Sequence, residues 1–326
     1  MIRLFSESNP LNIFLLFILG AVIRIPFFIN PSLPIIDSDM GYLYILFNDY
    51  AGTAIRSVTV VSHLLAYLII FIQGLSLNGF VNSQKLYGSS HLLFVYAYVL
   101  FSSLVPQWNS LSPLLFVNAI MTYIIPKMVH LYQSKQVQGE LFTISVLVGI
   151  SSLIYKPTII FVILIFLGLF ILRSFQLSEF VLILMGVALP YYLILVYNYV
   201  WDHWDHSVLL QPNISWNWPD LTSDPNDLIA MILLFSPAFL GVLWVRLYAV
   251  RMLTVQRKIW AFILLYFVIS LVYIFIGEHQ FYNHLFLFVL PASFYLAGFF
   301  HYPSVKFLPS IFPWLIIGFL IVRNFL

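Results

Sequence analysis

Apolar residues run through this chain in long, nearly unbroken stretches, with polar residues gathered in the gaps. The stretches fall at about 12–29, 56–76, 91–106, 112–131, 141–155, 157–173, 178–200, 227–246, 259–277, 282–300 and 308–325. They are apolar all round and do not alternate, so they predict helices and not the strands of a barrel. Stretches of this length fit a bilayer, where a helix satisfies its own backbone groups. The run over 141–173 is divided at Lys156-Pro157, because proline cannot continue a regular helix without losing a hydrogen bond. Segment 40–55 is apolar but short and interrupted, and it predicts an interfacial helix with a tyrosine belt. The expectation is an all-α polytopic membrane protein of about eleven transmembrane helices. It forms one transmembrane domain over 1–326, with outward loops at about 30–55, 201–227 and 277–283.

Composition agrees. The 326 residues are 62% hydrophobic and 8% charged, with a mean hydropathy of +0.99, which leaves too little charge to cover a soluble domain of this size. The net charge of +2 is too small to suggest a nucleic-acid partner. Cysteine is absent, which excludes disulfides, thiolate metal sites and thiol catalysis. Met1-Ile2-Arg3 leads into a long apolar segment without a small-residue cleavage site, so an uncleaved first helix is expected.

The basic residues then give an orientation. With the N-terminus inside, ten of the fourteen Lys and Arg fall on cytoplasmic segments, and the exceptions are Arg24, Arg56, Lys156 and Arg323. Asp takes no part in that rule, yet every Asp falls outside, together with His203, His206, His279 and His284.

Those outward polar residues form the candidate sites. Asp37 and Asp39 follow the first stretch, in Ile35-Ile36-Asp37-Ser38-Asp39-Met40-Gly41-Tyr42. Two carboxylates there suit a general base or a cation site, and they equally suit a helix N-cap in a solvated loop. Arg24 lies inside the first stretch, where it can anchor an anionic group such as a lipid phosphate, snorkel to the interface, or pair with Asp37 or Asp39. Lys156 breaks the inside bias and can hold a phosphate or snorkel in the same way. Asp202, His203, Asp205 and His206 can hold a divalent cation or an acceptor, or form a wet loop beside interfacial tryptophans. Glu278, His279 and His284 can complete a polar site with the first loop, or be ordinary hairpin polarity. Within the bundle, His63, Gln73 and Asn118 are expected to hydrogen-bond between helices, and Pro190, Pro237 and Pro291 to be kinks.

Taken in order, several of these landmarks resemble the GT-C superfamily, the membrane glycosyltransferases that use polyprenyl-phosphate-linked sugars. Arg24-Ile25-Pro26 followed by Asp37-Ser38-Asp39 is similar to the Arg-x-Pro end of their first helix and the acidic loop after it. Leu153-Ile154-Tyr155-Lys156-Pro157-Thr158 is similar to their basic-Pro-Thr turn. Leu189-Pro190 and Tyr197-Asn198-Tyr199 lead to an outward loop, and Phe281-Tyr282-Asn283-His284 through Leu290-Pro291 resembles their Arg-Tyr helix. The resemblance spans roughly residues 12–300. Met40 stands where the family usually has its second acid, and His279 or Gln280 stands where it has arginine. Phe5-Ser6-Glu7-Ser8-Asn9-Pro10-Leu11-Asn12 also resembles a membrane family of Bacteroidota.

The resemblance implies a multi-pass enzyme of the bacterial inner membrane. It would move a sugar from a polyprenyl-phosphate carrier to an acceptor with inversion, on the extracytoplasmic side. Asp39 would be the base, with Asp37 in reserve, and Arg24 and Lys156 would hold the leaving phosphate. Its partners are membrane lipid and the lipid-linked sugar, and a divalent cation is the candidate cofactor. Two alternatives stand beside it. One is a non-catalytic subunit of the same fold, with membrane-protein partners in an envelope assembly, secretion or motility complex. The other is a transporter, which calls for charges deep in the bundle.

Overall fold

The computed structural model of the protein describes residues 4–29, 39–52, 59–132, 134, 137–173, 176–201, 225–276, 281–303 and 307–325. Among the described residues twelve α-helices follow one another: α1 (Pro10–Ile29), α2 (Tyr42–Phe47), α3 (Thr59–Ser83), α4 (Leu93–Ser102), α5 (Pro113–His130), α6 (Val137–Ile154), α7 (Phe161–Leu172), α8 (Leu177–Val200), α9 (Pro225–Ala249), α10 (Thr254–Tyr273), α11 (Phe281–His301) and α12 (Phe307–Phe325). Among the described residues no strand forms, only one isolated bridge between Met40 and Tyr155. Eight of the helices are long and apolar enough to cross a membrane, and three shorter apolar segments accompany them: Leu93–Ser102, Lys156–Leu172 and Phe307–Arg323. The protein is a membrane-embedded helical bundle.

Side-chain spacing shows which face each helix buries. On α1 the exposed positions are Leu11, Phe14, Leu15, Ile18, Val22, Ile25 and Ile29, a stripe at helical spacing that suits lipid. The opposite stripe, Leu16, Gly20, Arg24 and Phe27, turns inward. On α3 the buried positions recur as 62/63, 66/67, 70/71, 73/74 and 77/78, which is the 3.6-residue period of one inward face. Two helices have no lipid face. Every residue of α4 is buried, as is nearly all of α11. They pack on each other through Phe94 and Phe294, with ring centroids 4.5 Å apart, and the other helices enclose them. Burial on all sides explains how α4 can be only ten residues long: its neighbours, and not lipid, surround it.

Polar cross-links fix the register of this oily bundle. Gln73 on α3 donates to the Leu115 carbonyl of α5 and accepts from the Tyr98 hydroxyl of α4. Asn118 on α5 donates to the Phe286 carbonyl of α11. Both residues therefore bond between helices as expected, because a lone amide in hydrocarbon keeps the full cost of its desolvation. The break near Pro157 is also present, as a 3-10 turn over Lys156–Ile160 between α6 and α7.

Helix α9 crosses α11 at Gly241, where a Cβ would overlap the Tyr295 backbone carbonyl. Gly241→Ala is expected to lower stability by about 1–3 kcal/mol, the usual range for overpacking, because backbone cannot rotate away as a side chain can. An unchanged melting midpoint of the purified variant would remove this crossing from the account.

A second stability prediction concerns the end of the bundle where α11 finishes. His91 is buried against Tyr87 and His301, with ring centroids 4.9 and 5.5 Å away, and its Nδ1 faces the Leu93 amide. Burial lowers its pKa from 6.5 to about 4, and the charge of His301 adds to the effect. The folded value lies below the unfolded one, so between those pH values the unfolded chain binds a proton that the folded chain refuses. Stability therefore falls as pH drops from about 6.5 toward 4. In a melting series across that window, His91→Gln is expected to fall less steeply than wild type.

Candidate functional site

The acidic loop, the α6–α7 turn and the first turn of α11 meet at one place. Asp39 and Met40 run antiparallel to Ile154, Tyr155 and Lys156. The Lys156 amide donates to the Asp39 carbonyl at 2.9 Å, and the Gly41 amide donates to the Ile154 carbonyl at 2.9 Å. The chain leaves α6 before Pro157, which cannot continue a regular helix, and Tyr155 adopts the extended backbone that the pairing needs. The bridge holds Asp39 with its side chain fully enclosed. Asp39 Oδ2 lies 3.7 Å from His284 Nε2, adjacent to it but too far for a hydrogen bond. The same His284 nitrogen is hydrogen-bonded to the Tyr155 hydroxyl at 2.6 Å. Tyr273 lies beside the imidazole with its ring tilted to it, centroids 5.2 Å apart.

A carboxylate, an imidazole and a phenol from three distant stretches thus form one buried polar cluster. Such a cluster places a carboxylate that can take up a proton beside a hydrogen-bonded imidazole–phenol pair. Lys156 follows directly in the chain, and its side chain is half-buried. Above the cluster, the Tyr42 hydroxyl donates to Asn198 Oδ1 on α8 at 3.0 Å, and the Tyr44 hydroxyl donates to the Leu111 carbonyl at 3.0 Å.

These contacts correct two expectations. Tyr42 and Tyr44 do not form an interfacial belt, because both are buried and bonded inward; only Tyr50 of the three is exposed. Asp39 is not a helix cap in a wet loop either: Gly41 is the N-cap of α2, no side chain caps it, and Asp39 has no exposed surface.

Arg24 is elsewhere and otherwise occupied. It is 1% exposed, so it does not snorkel. Its guanidinium donates to Asn109 Oδ1 and Ser102 Oγ, each at 2.8 Å, and lies 4.9 Å from the centre of the Tyr67 ring. Neither Asp39 nor any other carboxylate among the described residues pairs with it. A phosphate would have to displace Asn109 and Ser102 to reach it. Desolvation made an internal network the cheaper solution for a cation in α1.

Of the remaining predicted residues, His284 and Lys156 join Asp39. Asp37, Asp202, His203, Asp205, His206, Glu278 and His279 lie outside the described residues. Among the described residues, no group of three or more His, Asp or Glu side chains is placed to hold a metal ion. Sequence reasoning did not single out Tyr155 and Asn198, although both stand within the motifs quoted above. A tyrosine in an apolar run is usually packing, and only the fold shows which hydroxyl meets a histidine.

No curated protein and no solved structure matches the chain. Residues 40–326 match a family of unknown function, DUF6427, a region that starts one residue after Asp39 and contains Tyr155, Lys156 and His284. The chain belongs to that family, DUF6427.

Proposed function

We propose that this protein is a GT-C-like glycosyltransferase that moves a sugar from a polyprenyl-phosphate carrier to an acceptor hydroxyl, with inversion. One observation carries the reading: Asp39, Tyr155 and His284, from three separate landmarks of the GT-C resemblance, converge on one cluster. In this reading the chain crosses the bacterial inner membrane about eleven times, with the cluster on the extracytoplasmic side, the N-terminus in the cytoplasm and the C-terminus outside.

The step is a single displacement. The acceptor oxygen bonds to the anomeric carbon as the bond from that carbon to the phosphate oxygen breaks. The electron pair leaves with the polyprenyl phosphate, and the hydroxyl proton goes to Asp39. The main-chain bonds to Ile154 and Lys156 hold the Asp39 segment in place beside His284 and Tyr155. In this reading Lys156, the residue after Tyr155, faces the leaving phosphate, which gains charge as the bond breaks.

The test is sugar transfer in membranes supplied with polyprenyl-phosphate sugars, comparing wild type with Asp39→Asn. Transfer that depends on Asp39 supports the reading, and equal transfer by both proteins removes Asp39 as the base.

A second reading is favoured by the enclosure of the same residue. Asp39 is fully buried and Met40 nearly so. A sealed carboxylate suits a structural lock in a non-catalytic subunit of an envelope assembly, secretion or motility complex. That reading expects a stoichiometric membrane-protein partner on purification in mild detergent, and Asp39→Asn then changes assembly and not transfer.

A further inference from the structure

The strongest unassigned feature lies at the other end of α11. His284 and Tyr295 are separated by eleven residues on that helix, roughly 16 Å of rise. Beside Tyr295, helices α9, α10 and α11 enclose a cleft of about 210 Å³. Arg246 from the last turns of α9 and Arg257 from the first turn of α10 line it, with Trp260 beside them. Its other walls include Val242, Val245 and Leu264.

Two properties, taken together, bear on what this cleft can hold. First, its cations are not neutralised. Lys127, Arg173 and Arg323 each lie against an acid, Glu140, Glu179 and Asp227 respectively. Among the described residues, neither Arg246 nor Arg257 makes an ion pair or a side-chain hydrogen bond. Second, Trp260 is 4% exposed, and its indole N–H has no acceptor. A buried donor without a partner is rare in a folded chain and marks a place where an acceptor is missing. Leu243 and Leu247 on α9 and Leu253 just before α10 stand exposed, as residues bathed in acyl chains would.

We infer that this cleft binds the phosphodiester headgroup of an anionic glycerophospholipid. The phosphate lies between the forked donors of Arg246 and Arg257, and the apolar remainder runs over Val242 and Leu264. Arginine suits this role because its planar fork meets phosphate oxygens two at a time. A free phosphate offers the same charge but nothing to cover the apolar walls, which is why the lipid is favoured. The inference uses no part of the transfer reading and stands if that reading fails.

The test uses the full chain, purified in neutral detergent, stripped of lipid and returned to bilayers of phosphatidylcholine alone or mixed with phosphatidylglycerol. Native mass spectrometry counts retained lipid, and the melting midpoint reports stabilisation. Wild type is expected to retain phosphatidylglycerol over phosphatidylcholine on the order of tenfold or more, the value of one or two charge-assisted bonds. Arg246→Gln with Arg257→Gln is expected to abolish that preference, and Lys127→Gln to keep it. If the double variant does not fold, Arg257→Lys, which keeps the charge but loses the fork, is expected to weaken the preference. Equal retention by wild type and the arginine variants overturns the proposal. So does loss of preference in Lys127→Gln, which would make the effect one of overall charge. Equal stabilisation by inorganic phosphate without lipid overturns the lipid assignment.

Discussion

Asp39→Asn is expected to reduce sugar transfer by about 10²- to 10⁴-fold, the usual contribution of a positioned general base. That loss corresponds to about 2.7–5.4 kcal/mol of transition-state stabilisation. The substitution keeps the side-chain volume, and the main-chain pairing survives it, since the bonds to Lys156 and Ile154 use backbone atoms only. What disappears is the charge facing His284 Nε2 at 3.7 Å and the capacity to take a proton. A melting midpoint close to wild type alongside the lost activity separates a chemical role from a folding one. Tyr155→Phe removes only the hydroxyl bonded to His284 and is expected to cost less, because it leaves the carboxylate in place. Unchanged transfer in Asp39→Asn would leave the cluster a structural one and turn attention to the subunit reading.

Gly41→Ala is expected to be nearly as damaging by another route. Gly41 has an extended backbone, φ −87° and ψ 166°, which any residue adopts without strain. The demand for glycine here is tertiary. A Cβ would overlap the Leu153 carbonyl and come within 2.9 Å of the Ile154 carbonyl carbon. All of these are backbone atoms at the end of α6, so no rotamer change relieves the contact. The expected cost is about 3 kcal/mol, the upper part of the overpacking range. If the bundle stays folded, the loop must instead peel away from α6. Asp39 would then move relative to His284, and a displacement of about 1 Å can cost on the order of 10²-fold in rate. Amide exchange at Gly41 and Lys156, whose N–H groups make the two bridge bonds, reports the peeling directly. Wild-type exchange and a wild-type melting midpoint together would show that the approach is looser than it is drawn here.

The two substitutions probe one design. A membrane protein gains little from pressing apolar surface against apolar lipid, so polar contacts and close backbone approaches carry much of its specificity. Gly41 and Gly241 permit such approaches, and Gln73, Asn118 and Arg24 supply buried hydrogen bonds across helices. The Arg24 network shows the cost of that strategy. Its charge is held by neutral partners and an aromatic face, with no carboxylate beside it among the described residues.

The hydrophobic stretches by themselves determined the class of protein and most of its helices, because length and apolarity are local properties and a bilayer imposes both. They also placed the break at Pro157 and the short segment after α1. The segment at 91–106 was legible as a helix, but not as the short α4 with every residue buried, since an apolar residue reads the same against lipid as against protein. Chemistry was legible only as a set of polar residues on one side of the pattern. Tertiary structure decided which of them meet. It gave Arg24 the neutral partners Asn109 and Ser102, turned Tyr42 and Tyr44 inward, and brought Tyr155 and His284 to Asp39. The physical reason is that a buried polar group goes where its hydrogen bonds can be satisfied, and for Arg24 those partners, Ser102 and Asn109, lie 78 and 85 positions away along the chain.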